Sequence, residues 1–182
     1  MEGWKTDKLM NVVSSITTGK LDANAMVPNG QYRFYTCAKE HYYIDEYAFA
    51  YCTNLKSVVL PESLMSINNY AFHFCTSLQE ITLPDSIEHL GSDIFLNCHS
   101  LESATLPNNL TEIPANMFYD CSSLANVTLP DELTYIGTSA FCGCTGLKSI
   151  TLPEKVTTIG NNAFENCTSL ESITIPDGVT SI

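Results

Sequence analysis

Positive charge is scarce in this sequence. Its 182 residues include 8 lysines and arginines against 20 aspartates and glutamates, which gives a formal net charge of −12. This sign opposes binding to nucleic-acid phosphate and to anionic lipid surfaces. Apolar runs of the length that a bilayer-spanning helix requires are also missing, so the sequence predicts no membrane association.

A secretory signal is missing too. The first residues, MEGWKTDKLMNVVSS, lack both a continuous apolar stretch and a small-residue cleavage site. The chain as written is therefore predicted to be cytoplasmic. A cell-surface location is predicted instead if the chain is a fragment that has lost a leader.

The motifs of common enzyme classes are absent. The sequence contains no G-x-S-x-G, no P-loop and no H-E-x-x-H. Cys142 and Cys144 form no zinc pair, because no second C-x-x-C or pair of histidines accompanies them. The histidines fall at four different phases of the repeat described below: His41, His73, His89 and His99. The sequence therefore predicts a protein that is not an enzyme and that holds no metal or other cofactor.

A 23-residue repeat fills most of the chain. Its shared pattern is AFxxCxxLxxIxLPxxLxxIG, and four of its residues recur without an insertion. They are Phe at 49, 72, 95, 118, 141 and 164; Cys at 52, 75, 98, 121, 144 and 167; Leu at 55, 78, 101, 124, 147 and 170; and Pro at 61, 84, 107, 130, 153 and 176. Repeats of this length predict a solenoid, in which each coil is stabilised by its neighbours.

The alternation in LKSVVLP predicts a strand in each repeat. Val58 and Leu60 are expected to face inward, while Ser57 and Val59 face outward. Pro61 ends the strand because it has no backbone N–H to donate.

The rest of the repeat is predicted to return the chain to its start. Leu64 and Ile67 are expected to face inward on this return path, and Ala71-Phe72 to begin a turn or 3₁₀ segment. Glycines at 91, 137 and 160 are predicted to occupy corners with positive φ.

These residues resemble the BspA-like leucine-rich repeat family. The match covers about residues 49–182 and is carried by the A-F-x-x-C lead-in, the L-x-x-I-x-L core and the proline that follows. The resemblance implies a right-handed leucine-rich repeat solenoid, with a parallel sheet on one face and short 3₁₀ or turn segments on the other. It also implies a non-catalytic role in binding a protein partner whose identity the sequence does not give. Surface adhesion is a weaker alternative, if a leader is missing.

The N-terminal part resembles a different family. Roughly residues 4–49, including TGKLDANA, YRFYTCAKE and YIDEYAF, are similar to the opening of a target-recognition domain in type I restriction–modification specificity subunits. Residues 1–43 are interpreted as a capping segment and residues 44–182 as six repeats, the last without a C-terminal cap. In this reading Tyr35, Cys37 and Ile44 face inward in an irregular coil. A partial or degenerate specificity subunit that recognises DNA is the alternative, although the acidic repeats disfavour nucleic acid.

Three sets of repeat positions are candidates for chemistry or binding. The cysteine row is predicted to be a ladder of reduced, buried thiols. The candidate protein-binding face comprises the outward positions that vary from coil to coil: Phe34, Ser57, Val59, Glu80 and Asn126. The C-terminal coil is predicted to present an apolar end that supports a homodimer: Phe164, Leu170, Ile173, Ile175 and Val179.

Overall fold

The repeats stack as a solenoid of parallel strands and turns. The computed structural model describes residues 42–182. Phe34, Tyr35 and Cys37, together with most of the predicted cap and of the specificity-subunit resemblance, lie outside the described residues. We number the coils by their phenylalanines, from Phe49 in coil 1 to Phe164 in coil 6.

Short strands alternate with turns throughout the described part of the chain. They are β1 Tyr42–Ile44, β2 Leu64–Ile67, β3 Glu80–Thr82, β4 His89–Leu90, β5 Ser103–Thr105, β6 Glu112–Ile113, β7 Asn126–Thr128, β8 Tyr135–Ile136, β9 Ser149–Thr151, β10 Thr158–Ile159 and β11 Ser172–Thr174. Every recorded pairing between these strands is parallel. The predicted fold class, a leucine-rich repeat solenoid, is confirmed.

The strands that precede the repeat prolines form the first ladder. It consists of β3, β5 and β7 in one sheet and β9 with β11 in another. Ile81 pairs with Ala104, and Ala104 with Val127, so each partner stands one repeat further along the chain. The middle residue of each strand faces the core, and the residues on either side of it face outward.

A second parallel ladder forms in the part of each repeat that follows the proline. This segment was predicted to return the chain to its start, but not to form a strand. It consists of β1, β2 and β4 in one sheet and β6, β8 and β10 in another. Leu64 and Ile67 are buried, as predicted, but they belong to strand β2. Ile44 pairs with Ile67 and packs against the core, which confirms its predicted inward orientation.

Coil 1 departs from the strand prediction for LKSVVLP. Val58 and Leu60 are buried and Val59 is 63% exposed, so the alternation is correct. The segment is nevertheless not a strand, and Ser57 is half-buried. The recorded backbone bond from this segment to coil 2 runs from Gln79 N to Lys56 O, at 3.0 Å. One such bond is too few to make a ladder.

The three glycines that follow second-ladder strands do not serve the purpose that the sequence predicted. Gly91, Gly137 and Gly160 are absent from the positive-φ residues of the described chain. Glycine fits at these positions because the backbone of the neighbouring coil leaves no room for a Cβ. A Cβ added to Gly91 would lie 2.5 Å from Asn69 N, and one added to Gly160 would lie 2.5 Å from Thr138 N.

The core is a stack of phenylalanine rings along the solenoid axis. Successive ring centroids are 4.9, 5.5, 5.6, 5.3 and 5.4 Å apart from coil 1 to coil 6. Backbone bonds between coils hold the rings in place: the Phe72 N–H donates to Ile94 O at 2.9 Å, and the Phe118 N–H to Ala140 O at 2.8 Å. The turn row is therefore a third line of contact between coils.

Candidate functional site

The predicted binding face follows the first ladder. Glu80 and Asn126 are exposed and lie two coils apart, with Ser103 of β5 paired between them. Val59 is one coil before Glu80 in the repeat and is the most exposed of the apolar side chains in coil 1. The structure therefore places these side chains outside the core, where a partner could reach them.

The C-terminal coil is less well covered than the coils before it. Phe164, Leu170, Ile173 and Val179 pack against the core but are only partly buried, and Ile175 is 39% exposed. The corresponding residues one repeat earlier are fully or almost fully buried. They include Phe141, Leu147, Ile150 and Val156. Within the described residues, β11 pairs with β9 alone.

The cysteine row donates hydrogen bonds, which the sequence did not reveal. Each thiol lies near the backbone oxygen of a phenylalanine 26 residues earlier, in the preceding coil, at 3.1–3.2 Å. The donors are Cys75, Cys98, Cys121, Cys144 and Cys167. The same oxygens accept the backbone N–H of the cysteine in their own coil, as Phe72 O does from Cys75 N. The row thus links coils through polar bonds as well as packing.

A thiol reagent at neutral pH is expected to modify few cysteines in the folded protein. Burial raises the pKa of Cys98 and Cys121 well above the usual range, so both stay neutral thiols. Burial also raises the pKa of Cys167 to about 11, against an opposing hydrogen bond from the Cys144 backbone. Cys167 is therefore neutral at pH 7 and gains thiolate as the pH rises toward 11.

Counting modified groups before and after denaturation measures this protection. Denaturant should release most of the 8 cysteines. The variant Cys167→Ser should remove one of the more reactive groups at high pH and leave the others protected. Full modification of the native protein, or several disulfides in freshly purified protein, would contradict the prediction of a reduced, inert row.

Two residues in every coil adopt left-handed backbone conformations. The first position holds Tyr47, Tyr70, Asp93, Asn116, Ser139 and Asn162. The second holds Tyr51, Phe74, Asn97, Asp120, Gly143 and Asn166. Coils 3 to 6 thus place small residues there, mostly the Asn, Asp and Gly types that tolerate positive φ.

Coils 1 and 2 place aromatic residues at these four left-handed positions. A bulky side chain at positive φ costs on the order of 1–3 kcal/mol and persists only where the surroundings enforce it. These aromatic residues are visible in the sequence, since EYAFAYC and NYAFHFC differ from NNAFENC at these positions.

The aromatic residues form one surface on the turn row, which we call the aromatic surface: Tyr47, Tyr51, Tyr70, His73 and Phe74. The Tyr47 and Tyr70 rings stack with centroids 4.9 Å apart, and Tyr51 and Phe74 stack at 5.2 Å. The His73 ring lies 4.5 Å from that of Phe74 and 5.3 Å from that of Tyr51. Tyr47 and Tyr51 remain 43% and 53% exposed.

His73 carries a buried polar atom in this surface. Its Nδ1 has no hydrogen-bond partner among the described residues. Burial lowers the pKa of His73, although the negative charge of Asp93 opposes that shift. A buried polar atom without a partner reduces stability, so the aromatic surface is not arranged for stability alone.

Within residues 42–182, no group of three or more His, Cys, Asp or Glu side chains is placed to hold a metal ion. No helix in that range has the length and apolar content needed to cross a bilayer.

Comparison with known proteins identifies the repeat. The family model described as "BspA type Leucine rich repeat region" matches in 6 copies, over residues 42–147 and 111–182. A leucine-rich repeat protein of T. pallidum is 34% identical in a crystal structure, with a TM-score of 0.72, and the match covers 76% of this chain and 65% of that one.

Two other proteins are similar to parts of this chain. A leucine-rich repeat protein from Eubacterium ventriosum is 28% identical with a TM-score of 0.71, over 76% of this chain and 37% of that one. The type I restriction enzyme EcoDI specificity subunit of Escherichia coli is 48% identical over 46 residues, which are 25% of this chain and 10% of that protein. The chain thus spans less than two thirds of the length of each of these relatives.

Proposed function

Since this chain belongs to the BspA-type leucine-rich repeat family, whose members are generally non-enzymatic and mediate protein interactions, we propose that it is a non-catalytic module that binds another protein. The observation that carries the proposal is the first ladder, where exposed side chains differ from coil to coil above a uniform core. Glu80 and Asn126 stand at such positions, and Val59 is exposed in the coil before Glu80. Variation at exposed positions over a rigid scaffold is how repeat proteins present binding surfaces.

Site-specific crosslinking tests this proposal. A photo-crosslinking amino acid at position 126 is expected to capture one discrete protein, because Asn126 is exposed on the first ladder. The matched control places it at Thr134, which is exposed next to β8 of the second ladder. The captured protein, once purified, should bind the wild-type chain saturably and bind Glu80→Lys more weakly. Equal capture from both positions, or binding unaffected by Glu80→Lys, would contradict the first ladder as the binding face.

The second candidate function is DNA recognition as a partial specificity subunit. The observation that favours it is the 46-residue match at 48% identity. The net charge of −12 opposes it. A gel shift at low salt with mixed duplexes separates the two functions. Retarded DNA whose binding weakens as salt rises would favour the specificity-subunit function.

We propose that the 182-residue chain self-associates through its C-terminal coil. Two copies that meet tail to tail would cover the partly buried side chains of coil 6 and the edge of β11 that has no partner strand within residues 42–182. We expect light scattering to show a concentration-dependent dimer that Ile175→Lys disrupts. Val59→Lys is the control, because it adds the same charge at an exposed apolar position far from coil 6. Monomeric wild-type protein at high concentration, or equal effects of both substitutions, would reject this contact.

A further inference from the structure

The aromatic surface at the start of the solenoid has no counterpart in later coils. Four bulky side chains hold positive φ in coils 1 and 2, where coils 3 to 6 have small residues at the same positions. The later coils build the same turn without this strain. The fold alone therefore does not require aromatic residues at these four positions. Strained residues of this kind are concentrated at binding sites.

Among residues 42–182, the recorded ring contacts cover only one face of each of two tyrosine rings. Tyr47 rests on Tyr70, and Tyr51 rests on Phe74, with interplanar angles of 2° and 9°. Each stack therefore presents one outer tyrosine, and both outer tyrosines remain exposed. The His73 ring connects the two stacks, because its centroid lies 5.6 Å from that of Tyr70 and 5.3 Å from that of Tyr51.

The surroundings of these rings are negative. Glu46 is exposed directly beside Tyr47, and the buried Asp93 belongs to the coil that follows Tyr70. The pKa of the Tyr47 hydroxyl is raised, first by desolvation and then by charges that include Glu46 and Asp93.

No cation of the described chain occupies this surface. The lysines within residues 42–182 are Lys56, Lys148 and Lys155, and Lys155 pairs with Glu132. The recorded ring contacts of the aromatic surface are with other aromatic rings and His73. Open tyrosine faces flanked by carboxylates suit a guanidinium or ammonium group, through cation–π attraction and charge complementarity.

We propose that the aromatic surface binds an arginine or lysine side chain presented by a protein partner, with the cation placed against the open faces of Tyr47 and Tyr51. This proposal rests on the proposed protein-binding function and adds a second surface, on the turn row instead of the first ladder. The partner is expected to present a basic segment, which fits an acidic and aromatic site.

The decisive variant gives coil 1 the residues of a later repeat. The double substitution Tyr47→Asn with Tyr51→Asn installs the residue that coil 6 carries at both left-handed positions. Asparagine tolerates positive φ better than tyrosine, so the Tm is expected to stay the same or rise. Lost binding in this variant would therefore not reflect lost folding.

Titration with short peptides measures the interaction. The probes are Gly-Arg-Gly-Arg-Gly and the same peptide with citrulline in place of arginine, which keeps the shape and removes the charge. NMR of the tyrosine ring signals in the full chain is expected to show saturable shifts with the arginine peptide only. The double variant should bind about tenfold more weakly. Tyr135→Asn removes an exposed tyrosine outside the aromatic surface and should bind as wild type does.

Each other result overturns the proposal. Equal binding by the double variant would show general attraction to an acidic protein. Equal binding of the citrulline peptide would show that charge is not recognised and would favour a neutral ligand. If no chain binds the arginine peptide, the cation site is rejected, while capture of a partner at position 126 would still support protein binding by the first ladder.

Discussion

Replacing Phe118 by alanine is expected to lower the free energy of unfolding by about 3–5 kcal/mol. Phe118 has no exposed surface, and its ring stacks between Phe95, at 5.6 Å, and Phe141, at 5.3 Å. Removing it leaves a cavity with aromatic rings on both sides. The inter-coil bond from Phe118 N to Ala140 O restrains the backbone and so limits collapse into that space. Urea titration followed by circular dichroism measures the loss.

Two controls separate the loss of core packing from a general effect of substitution. Glu102→Ala removes an exposed side chain and should cost under about 0.5 kcal/mol. Phe164→Ala tests the same residue type where the ring is only partly buried and stacks on Phe141 alone among the described residues. It should cost less than Phe118→Ala. Equal costs for Phe118 and Glu102 would mean that the inward and outward assignment is wrong.

The sequence predicted the solenoid because its signal is periodic. A side chain that faces inward at one repeat position is expected to face inward at the same position in every coil, so one alternating segment predicts the orientation of its counterparts. This is why Val58 and Leu60 were assigned correctly although their segment does not form a strand. Burial depends on side-chain direction, whereas a strand requires a ladder of bonds to neighbours.

The second ladder was harder to predict for the same reason. Leu64 and Ile67 are three residues apart, and the burial pattern of β2 does not show simple alternation. A strand of two residues, such as β4 or β6, is too short to show a period at all. Whether such a strand forms depends on hydrogen bonds to the backbone of the neighbouring coil, which the pattern of side chains does not encode.

The aromatic surface and the thiol bonds were missed for different reasons. The thiol bonds connect a side chain to a backbone oxygen, and a repeated cysteine is equally consistent with plain apolar packing. The aromatic surface was visible as a departure from the repeat at Tyr47, Tyr51, Tyr70 and Phe74. Its meaning became clear only with the backbone conformation, because an aromatic residue at an ordinary φ would carry no strain.

Replacing Gly137 by alanine is expected to destabilise the protein by about 1–3 kcal/mol. The new Cβ would lie 2.6 Å from Ala115 N and 2.7 Å from both Ile113 O and Pro114 C. All three are backbone atoms, which cannot rotate away as a flexible side chain can. The coils would have to separate at the point where Gly137 N donates to Ile113 O at 2.8 Å.

Gly178→Ala is the matched control, since its Cβ would meet Val156 O at 3.6 Å and Glu154 O at 3.7 Å, which are ordinary contacts. It should be neutral or stabilising by about 0.4–1 kcal/mol, because alanine restricts the unfolded chain. Gly137→Asn distinguishes close approach from a need for positive φ. Asparagine tolerates positive φ but carries the same Cβ. If crowding is the cause, urea midpoints fall at least as far for Gly137→Asn as for Gly137→Ala; a milder effect of asparagine would contradict crowding by the added Cβ.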